Sequence, residues 1–151
     1  NDALYGLGGN DLLDGGSGVD ILVGDAGDDT IVGGDGFDWT AGGAGADVFR
    51  YTAVSHSRAS SGTDAISDFA RGADSIDLVF IDANTALAGD QAFTIGALAA
   101  GQAGRLQITL DPAGTPAWAL IQGDVDGDGL ADFDLLVFGN VAGLNASDFV
   151  L

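Results

Sequence analysis

Apolar residues recur every nine positions along the first third of the chain: Leu4, Leu13, Leu22, Ile31 and Phe49, with Thr40 standing in phase where the series breaks. Two residues before each of them is an aspartate: Asp2, Asp11, Asp20, Asp29, Asp38 and Asp47. The blocks read GLGGNDLLD, GGSGVDILV, GDAGDDTIV, GGDGFDWTA and GGAGADVFR, after an opening half-block NDALY. In each, six residues G-G-x-G-x-D predict a turn and three predict a short strand whose middle residue points inward. Thr40 predicts a weaker core layer. A period this strict means stacked, nearly identical units, each burying its apolar face on its neighbours.

Beyond Arg50 the nine-residue period ends and ordinary β signals begin. Val48–Val54, Ser75–Ile81, Ala92–Ile95, Arg105–Leu110, Ala117–Gln122 and Phe133–Phe138 read as strands separated by Gly, Asp and Pro turns. A Ser-rich loop from Ser55 to Gly62 sets the first apart from the rest. No segment sustains a helical period. The expected fold is all-β: a repeat domain over residues 1–50 and, over 51–151, an antiparallel sheet or sandwich that covers the open end of the stack.

Composition sharpens this picture. The 151 residues include four arginines, no lysine and 23 acidic residues, all aspartate, for a formal charge of −19. Such a balance opposes nucleic acid as a partner, which needs basic patches. It also makes a compact fold repel itself unless cations offset the charge. Patterned hydrophobic residues, 46% of the chain, argue against plain disorder. There is no cysteine to form a disulfide. No apolar run approaches the roughly 18 residues of a membrane span. The chain opens in mid-repeat, so an upstream domain is expected.

Glycine lets carbonyls converge without a Cβ in the way, and aspartate is a hard oxygen ligand; repeated together, they point to calcium. The blocks resemble the RTX repeats of proteins exported by bacterial type I secretion. That resemblance implies a right-handed parallel β-roll in which each block stacks on the next but one. It places calcium between stacked turns, held by backbone carbonyls and one aspartate from each. Carried onto this chain, the pairs are Asp11 with Asp29, Asp20 with Asp38, and Asp29 with Asp47, which makes about three complete sites. Asp2 with Asp20 is a truncated fourth. The turns that would supply ligands are Gly6, Gly8 and Gly9; Gly15, Gly16, Ser17 and Gly18; Gly24, Asp25, Ala26 and Gly27; Gly33, Gly34, Asp35 and Gly36; and Gly42, Gly43, Ala44 and Gly45. Leu7 and Asp25 take the place of the second glycine in their blocks, and Asp28 and Asp35 add carboxylates beside the turns.

A second resemblance covers essentially the whole chain. GGAGADVFRYTAVSHS, DAISDFARGADSIDL, GDVDGDGLADFDLLVFG and the terminal ASDFVL look like the C-terminal domain of serralysin-type secreted zinc metalloproteases. The zinc motif H-E-x-x-H itself cannot be written with one histidine and no glutamate. His56 stands where that family usually has an acidic residue, beside a family site that would involve Asp64. A lone histidine in a Ser-rich loop reads more readily as a surface residue than as a ligand. The segment Asp124, Asp126, Asp128, Asp132 has the D-x-D-x-D-G-x-x-D spacing of an EF-type calcium loop, with Gly129 at its sharp turn and Leu135 at the last ligand position. A plain Asp-Gly hairpin satisfies the same spacing. Trp39 and Trp118 suggest a sugar-stacking platform, although core or edge packing is the commoner role. The last residues look like an export signal, an acidic residue followed by apolar ones.

These readings converge on a non-catalytic calcium-binding module of a secreted, extracellular bacterial protein. Its folding would be coupled to export by the type I secretion machinery. The alternative is a polysaccharide- or surface-binding module of a glycan-modifying enzyme or adhesin. With no Cys, Lys or Glu and a single His, no nucleophile–base pair can be assembled.

Overall fold

The computed structural model describes residues 1–58, 60, 62–111 and 118–151. The first third of the chain forms β1 (Ala3–Tyr5), β2 (Leu12–Asp14), β3 (Ser17–Gly18), β4 (Ile21–Ala26), β5 (Thr30–Val32), β6 (Asp35–Gly36), β7 (Trp39–Ala44) and β8 (Val48–Arg50). Of these, β1, β2, β4, β5, β7 and β8 start where the nine-residue pattern places strands, β4 and β7 run on into the next turn, and β3 and β6 lie within segments expected to be turns only. Alternate blocks stack in parallel at an 18-residue offset. Leu4 pairs with Leu22, Leu22 with Thr40, Leu13 with Ile31, and Ile31 with Phe49. One sheet therefore starts β1-β4-β7 and the other β2-β5-β8, while β3 pairs with β6 in the turns.

The parallel stacking outlasts the sequence period. Strand β9 (Asp64–Ala70) lies parallel beside β7, and β10 (Ser75–Asp77) lies parallel on β8. Then follow β11 (Thr94–Ile95), β12 (Arg105–Leu110), β13 (Trp118–Asp124), β14 (Phe133–Asn140) and β15 (Phe149–Val150). The large sheet runs β1-β4-β7-β9-β14-β13-β12-β11, and the second β15-β10-β8-β5-β2. Both sheets thus pass through residue 50 without a break. The antiparallel part is β12-β13-β14, joined to the roll through the parallel pair β14-β9.

Several expected strands are shorter. The one from Val48 stops at Arg50, followed by a 3-10 turn at Val54–His56, and the one from Ser75 stops at Asp77. Ala117, residues 112–115 and residues 59 and 61 of the Ser-rich loop lie outside the described residues. Strand β9 was not expected, because Asp64, Ser67 and Asp68 lower its intrinsic preference; pairing on both edges overrides it.

The core lies between the two sheets. Leu22, Ile66 and Val137 from the first face Ile31, Phe49 and Ile76 from the second, and all are fully buried. Each such side chain contributes roughly 1.5–3 kcal/mol. Thr40 is buried with its hydroxyl donating to the Ala65 carbonyl at 3.3 Å. The in-phase polar residue is thereby satisfied where the layer would otherwise fail.

The two blocks that lack the second glycine show why it is there. Leu7 and Asp25 hold φ of 72° and 73°, the left-handed region that a β-carbon disfavours. Leu7 is exposed and its side chain offsets none of that strain. Leu7→Gly is expected to stabilise the folded protein by up to about 1 kcal/mol, seen as a higher urea midpoint in saturating calcium.

Candidate metal centre

The in-phase aspartates form two ladders, one along each side of the roll. On the first, the backbone N–H groups of Asp2, Asp20 and Asp38 donate to Oδ1 of Asp20, Asp38 and Asp64 at 2.5, 2.9 and 2.9 Å. On the second, those of Asp11, Asp29 and Asp47 donate to Oδ1 of Asp29, Asp47 and Asp74 at 2.8, 2.9 and 3.1 Å. One oxygen of each carboxylate is thereby committed to the neighbouring turn.

The other oxygen is not. Oδ2 of Asp11, Asp20, Asp29, Asp38, Asp47 and Asp64 is buried without a hydrogen-bond partner. A buried carboxylate oxygen in this state is expensive unless a proton or a cation joins it. The turn glycines show what surrounds it. A Cβ on Gly15 would lie 2.6 Å from the Gly33 carbonyl oxygen and 2.9 Å from Asp20 Oδ2. One on Gly6 would lie 2.7 Å from the Gly24 oxygen and 2.9 Å from Asp11 Oδ2. Carbonyl and carboxylate oxygens from stacked turns therefore converge on spots that stay open only because the residue is glycine. All-oxygen donors, one anionic, suit calcium and not a thiolate- or imidazole-seeking metal.

Burial pushes the carboxyls of Asp38, Asp47 and Asp74 above the usual range, aided at Asp38 by the charge of Asp20. It pushes Asp64 up to about 8 against the hydrogen bond from Asp38 N–H, and the charge of Asp38 adds to the rise. Tyr51, packed edge-on to Phe133 at 5.2 Å, is raised well above its ordinary value by burial and by Asp64 and Asp38.

The ladders end differently. Asp64 Oδ2 is unpartnered, whereas Asp74 Oδ2 accepts from Ala70 N–H at 2.7 Å. The second ladder thus closes on a backbone donor. Asp68 adds a further stop, its two oxygens accepting from Gly42 and Gly43 N–H at 3.0 and 2.9 Å. Asp74 keeps the nine-residue phase but at 27 residues from Asp47 instead of the 18 that separate stacked blocks, and Asp68 lies outside the phase. The signal for Asp74 is G-A-D-S-I-D at 72–77, which repeats the G-A-D-V-F-R of 45–50 at three periods' distance.

The predicted turn residues divide by role. The Gly24, Gly33 and Gly42 carbonyl oxygens crowd the turns of Gly6, Gly15 and Gly24 respectively. The carbonyls of Gly6, Gly16, Ala26 and Ala44 accept backbone hydrogen bonds. Gly8 bridges to Ala26, and Ser17 and Gly18 pair with Asp35 and Gly36. A Cβ on Gly27, Gly34, Gly36, Gly43 or Gly45 would strike the backbone of the turn 18 residues earlier. These positions enforce stacking. Asp28 braces the next turn through Ala46 N–H at 2.9 Å.

Asp124, Asp126 and Asp128 bring one oxygen each to within 4.8 Å of one another, Asp124 fully buried and the other two exposed. The loop is wound by its own carboxylates. Asp124 accepts from Gly127 and Gly129 N–H at 2.6 and 2.9 Å, and Asp132 from Val125 N–H at 3.0 Å. It also connects the antiparallel pair β13-β14, so both sequence readings describe the same segment. His56 is half-buried, with Nδ1 unpartnered and Nε2 3.5 Å from Thr52 Oγ1. Trp39 is 43% exposed and stacks on Phe138, on the outer face of the large sheet and not in the core.

Comparison with known proteins agrees with this geometry. Residues 3–151 match the family described as peptidase M10 serralysin C terminal. Two solution structures from the mannuronan C5-epimerase of Azotobacter vinelandii resemble the fold, each at 27% identity. The AlgE6R2 subunit aligns with a TM-score of 0.69 over 100% of this chain and 88% of its own. The AlgE6R3 subunit aligns with 0.64 over 99% and 78%. A search of curated protein sequences gives no significant match.

Proposed function

The chain belongs to the peptidase M10 serralysin C-terminal family, and on that premise we propose that it is a non-catalytic, calcium-driven folding module of a secreted bacterial protein. The observation that carries this reading is the row of six buried carboxylate oxygens without a partner. Each is a defect in the metal-free fold and a ligand in the calcium-bound one. The cations sit between stacked turns, at Asp11/Asp29, Asp20/Asp38, Asp29/Asp47 and Asp38/Asp64, with Asp2/Asp20 as an incomplete site at the edge. The loop Asp124–Asp132 holds one more.

Bound calcium supplies the positive charge that the ladders lack. The chain's own residues do the rest. The aspartate Oδ1 atoms fix turn-to-turn register, the Oδ2 atoms and glycine carbonyls hold the ion, and the apolar strand centres close the core behind it. Asp20, Asp29 and Asp38 each line two sites, so filling one orders the next. At low cytosolic calcium the repeats stay open for type I export, and extracellular calcium, bound with dissociation constants of roughly 10⁻⁴–10⁻³ M, folds them outside.

The test is a calcium titration of chelator-treated protein followed by far-UV circular dichroism. A cooperative gain of β-structure below a few millimolar, not reproduced by magnesium, is expected. A chain fully folded in chelator would refute the folding switch.

A further inference from the structure

Strand alternation that sends Leu22, Thr40, Ile66, Val137 and Ile121 into the core sends a second set outward from the large sheet. The register row Ile21, Trp39, Ala65, Leu136, Leu120, Thr109 crosses six adjacent strands without one charged residue, in a chain of net charge −19. Beside it, Trp118 pairs across strands with Phe138, and Phe138 stacks on Trp39 with ring centroids 6.2 Å apart and planes within 25°. Near-parallel rings at that spacing lie offset and present a broad aromatic surface. Trp118, Leu120, Leu136 and Phe138 line a shallow apolar hollow of about 380 Å³ on this face. Next to it, the Gln107 amide donates to Gln122 at 3.5 Å, and the Gln122 amide donates to Asp134 at 2.8 Å.

We propose that this face, with Trp39, Phe138 and Trp118 as its floor, binds an uncharged polysaccharide. Aromatic rings meet the C–H faces of pyranose rings, and the two side-chain amides with Thr109 offer donors and acceptors to sugar hydroxyls. Charge decides among occupants. The chain's net charge of −19 repels polyuronates, and it repels a second copy of this chain, whose own charge is equally negative. The bare stripe gives a cationic partner nothing to pair with. A neutral, hydroxyl-rich chain faces none of these penalties. The site needs the folded sheet but not any particular number of calcium ions.

Affinity gel electrophoresis of the calcium-loaded chain in gels containing mixed-linkage glucan, galactomannan, starch or polygalacturonate tests the assignment. At least one neutral polymer should retard the protein and polygalacturonate should not. Trp118→Ala and Trp39→Ala should each weaken retardation at least tenfold without moving the calcium midpoint of folding. Trp118→Phe, which keeps a ring, should retain most of it, and Leu87→Ala, at an exposed apolar residue elsewhere, should retain all. The proposal is overturned if no neutral polymer retards the chain or if the tryptophan-to-alanine variants bind as well as the parent. It is equally overturned if sedimentation shows the face occupied by a second copy in a dimer that Trp118→Ala dissolves.

Discussion

Asp38→Asn should change the sign of its effect on stability when calcium is removed. Asp38 is fully buried; its Oδ1 accepts from Asp20 N–H at 2.9 Å, its own N–H donates to Asp64 Oδ1 at 2.9 Å, and its Oδ2 has no partner. Asparagine keeps an oxygen for the Asp20 hydrogen bond, so the ladder's register survives. What it removes is a buried negative charge close to that of Asp20. In chelator that charge is uncompensated, and its loss should stabilise the fold by about 1–2 kcal/mol. In calcium the same charge belongs to two proposed sites. Its loss should raise the calcium midpoint about tenfold and cost about 3 kcal/mol at saturation. The measurement is the folded fraction by far-UV circular dichroism, against trimethylamine oxide in chelator and against urea in calcium. An effect of the same sign in both states would mean that Asp38 is an ordinary hydrogen-bonding residue and not a cation ligand.

The first ladder was legible in the sequence up to Asp38 because the 18-residue offset is written there twice over, in the apolar positions and in the aspartates. Its last member was legible only through family likeness. The step from Asp38 to Asp64 is 26 residues and that from Asp47 to Asp74 is 27. Chain inserted after Arg50 lengthens the connection while leaving the stacking partner in place, and a search in steps of nine loses count at the first of these. Strand β9 was hidden for a related reason. Its preference comes from two neighbours far apart in sequence, β7 and β14, and local composition argues against it. The aromatic face is the opposite case. That Trp39 alternates with inward Thr40 is readable from the pattern, but its meeting with Phe138, a hundred residues on, depends on long-range register. Periodicity reports what is repeated locally; the closure of the roll and the composition of its outer face are set by pairings that occur once.

In the metal-free protein, acid should stabilise the fold and alkali should weaken it. Asp64 carries the largest part of this effect, because burial lifts its carboxyl from 3.8 to about 8 in the folded chain. The unfolded chain gives up that proton near pH 4, while the folded chain holds it to about pH 8. Between those values the folded state binds the extra proton, so stability falls as pH rises and is fully lost above the folded value. The shift corresponds to something on the order of 5 kcal/mol between pH 4 and pH 9, with Asp38, Asp47 and Asp74 adding in the same direction. Calcium reverses the preference by taking the proton's place. From the metal-free chain held folded by trimethylamine oxide, calcium binding should release about one proton of Asp64 at pH 7, falling toward none above about pH 9, and the calcium midpoint should drop as pH rises through that window. Proton release in a weakly buffered calcium titration under the same conditions reads it directly. Asp64→Asn should abolish the Asp64 share of it and flatten the metal-free pH profile, since an amide imitates the protonated acid at every pH. If release at pH 7 were unchanged in that variant, the carboxyl held protonated in the metal-free fold would lie elsewhere on the ladders.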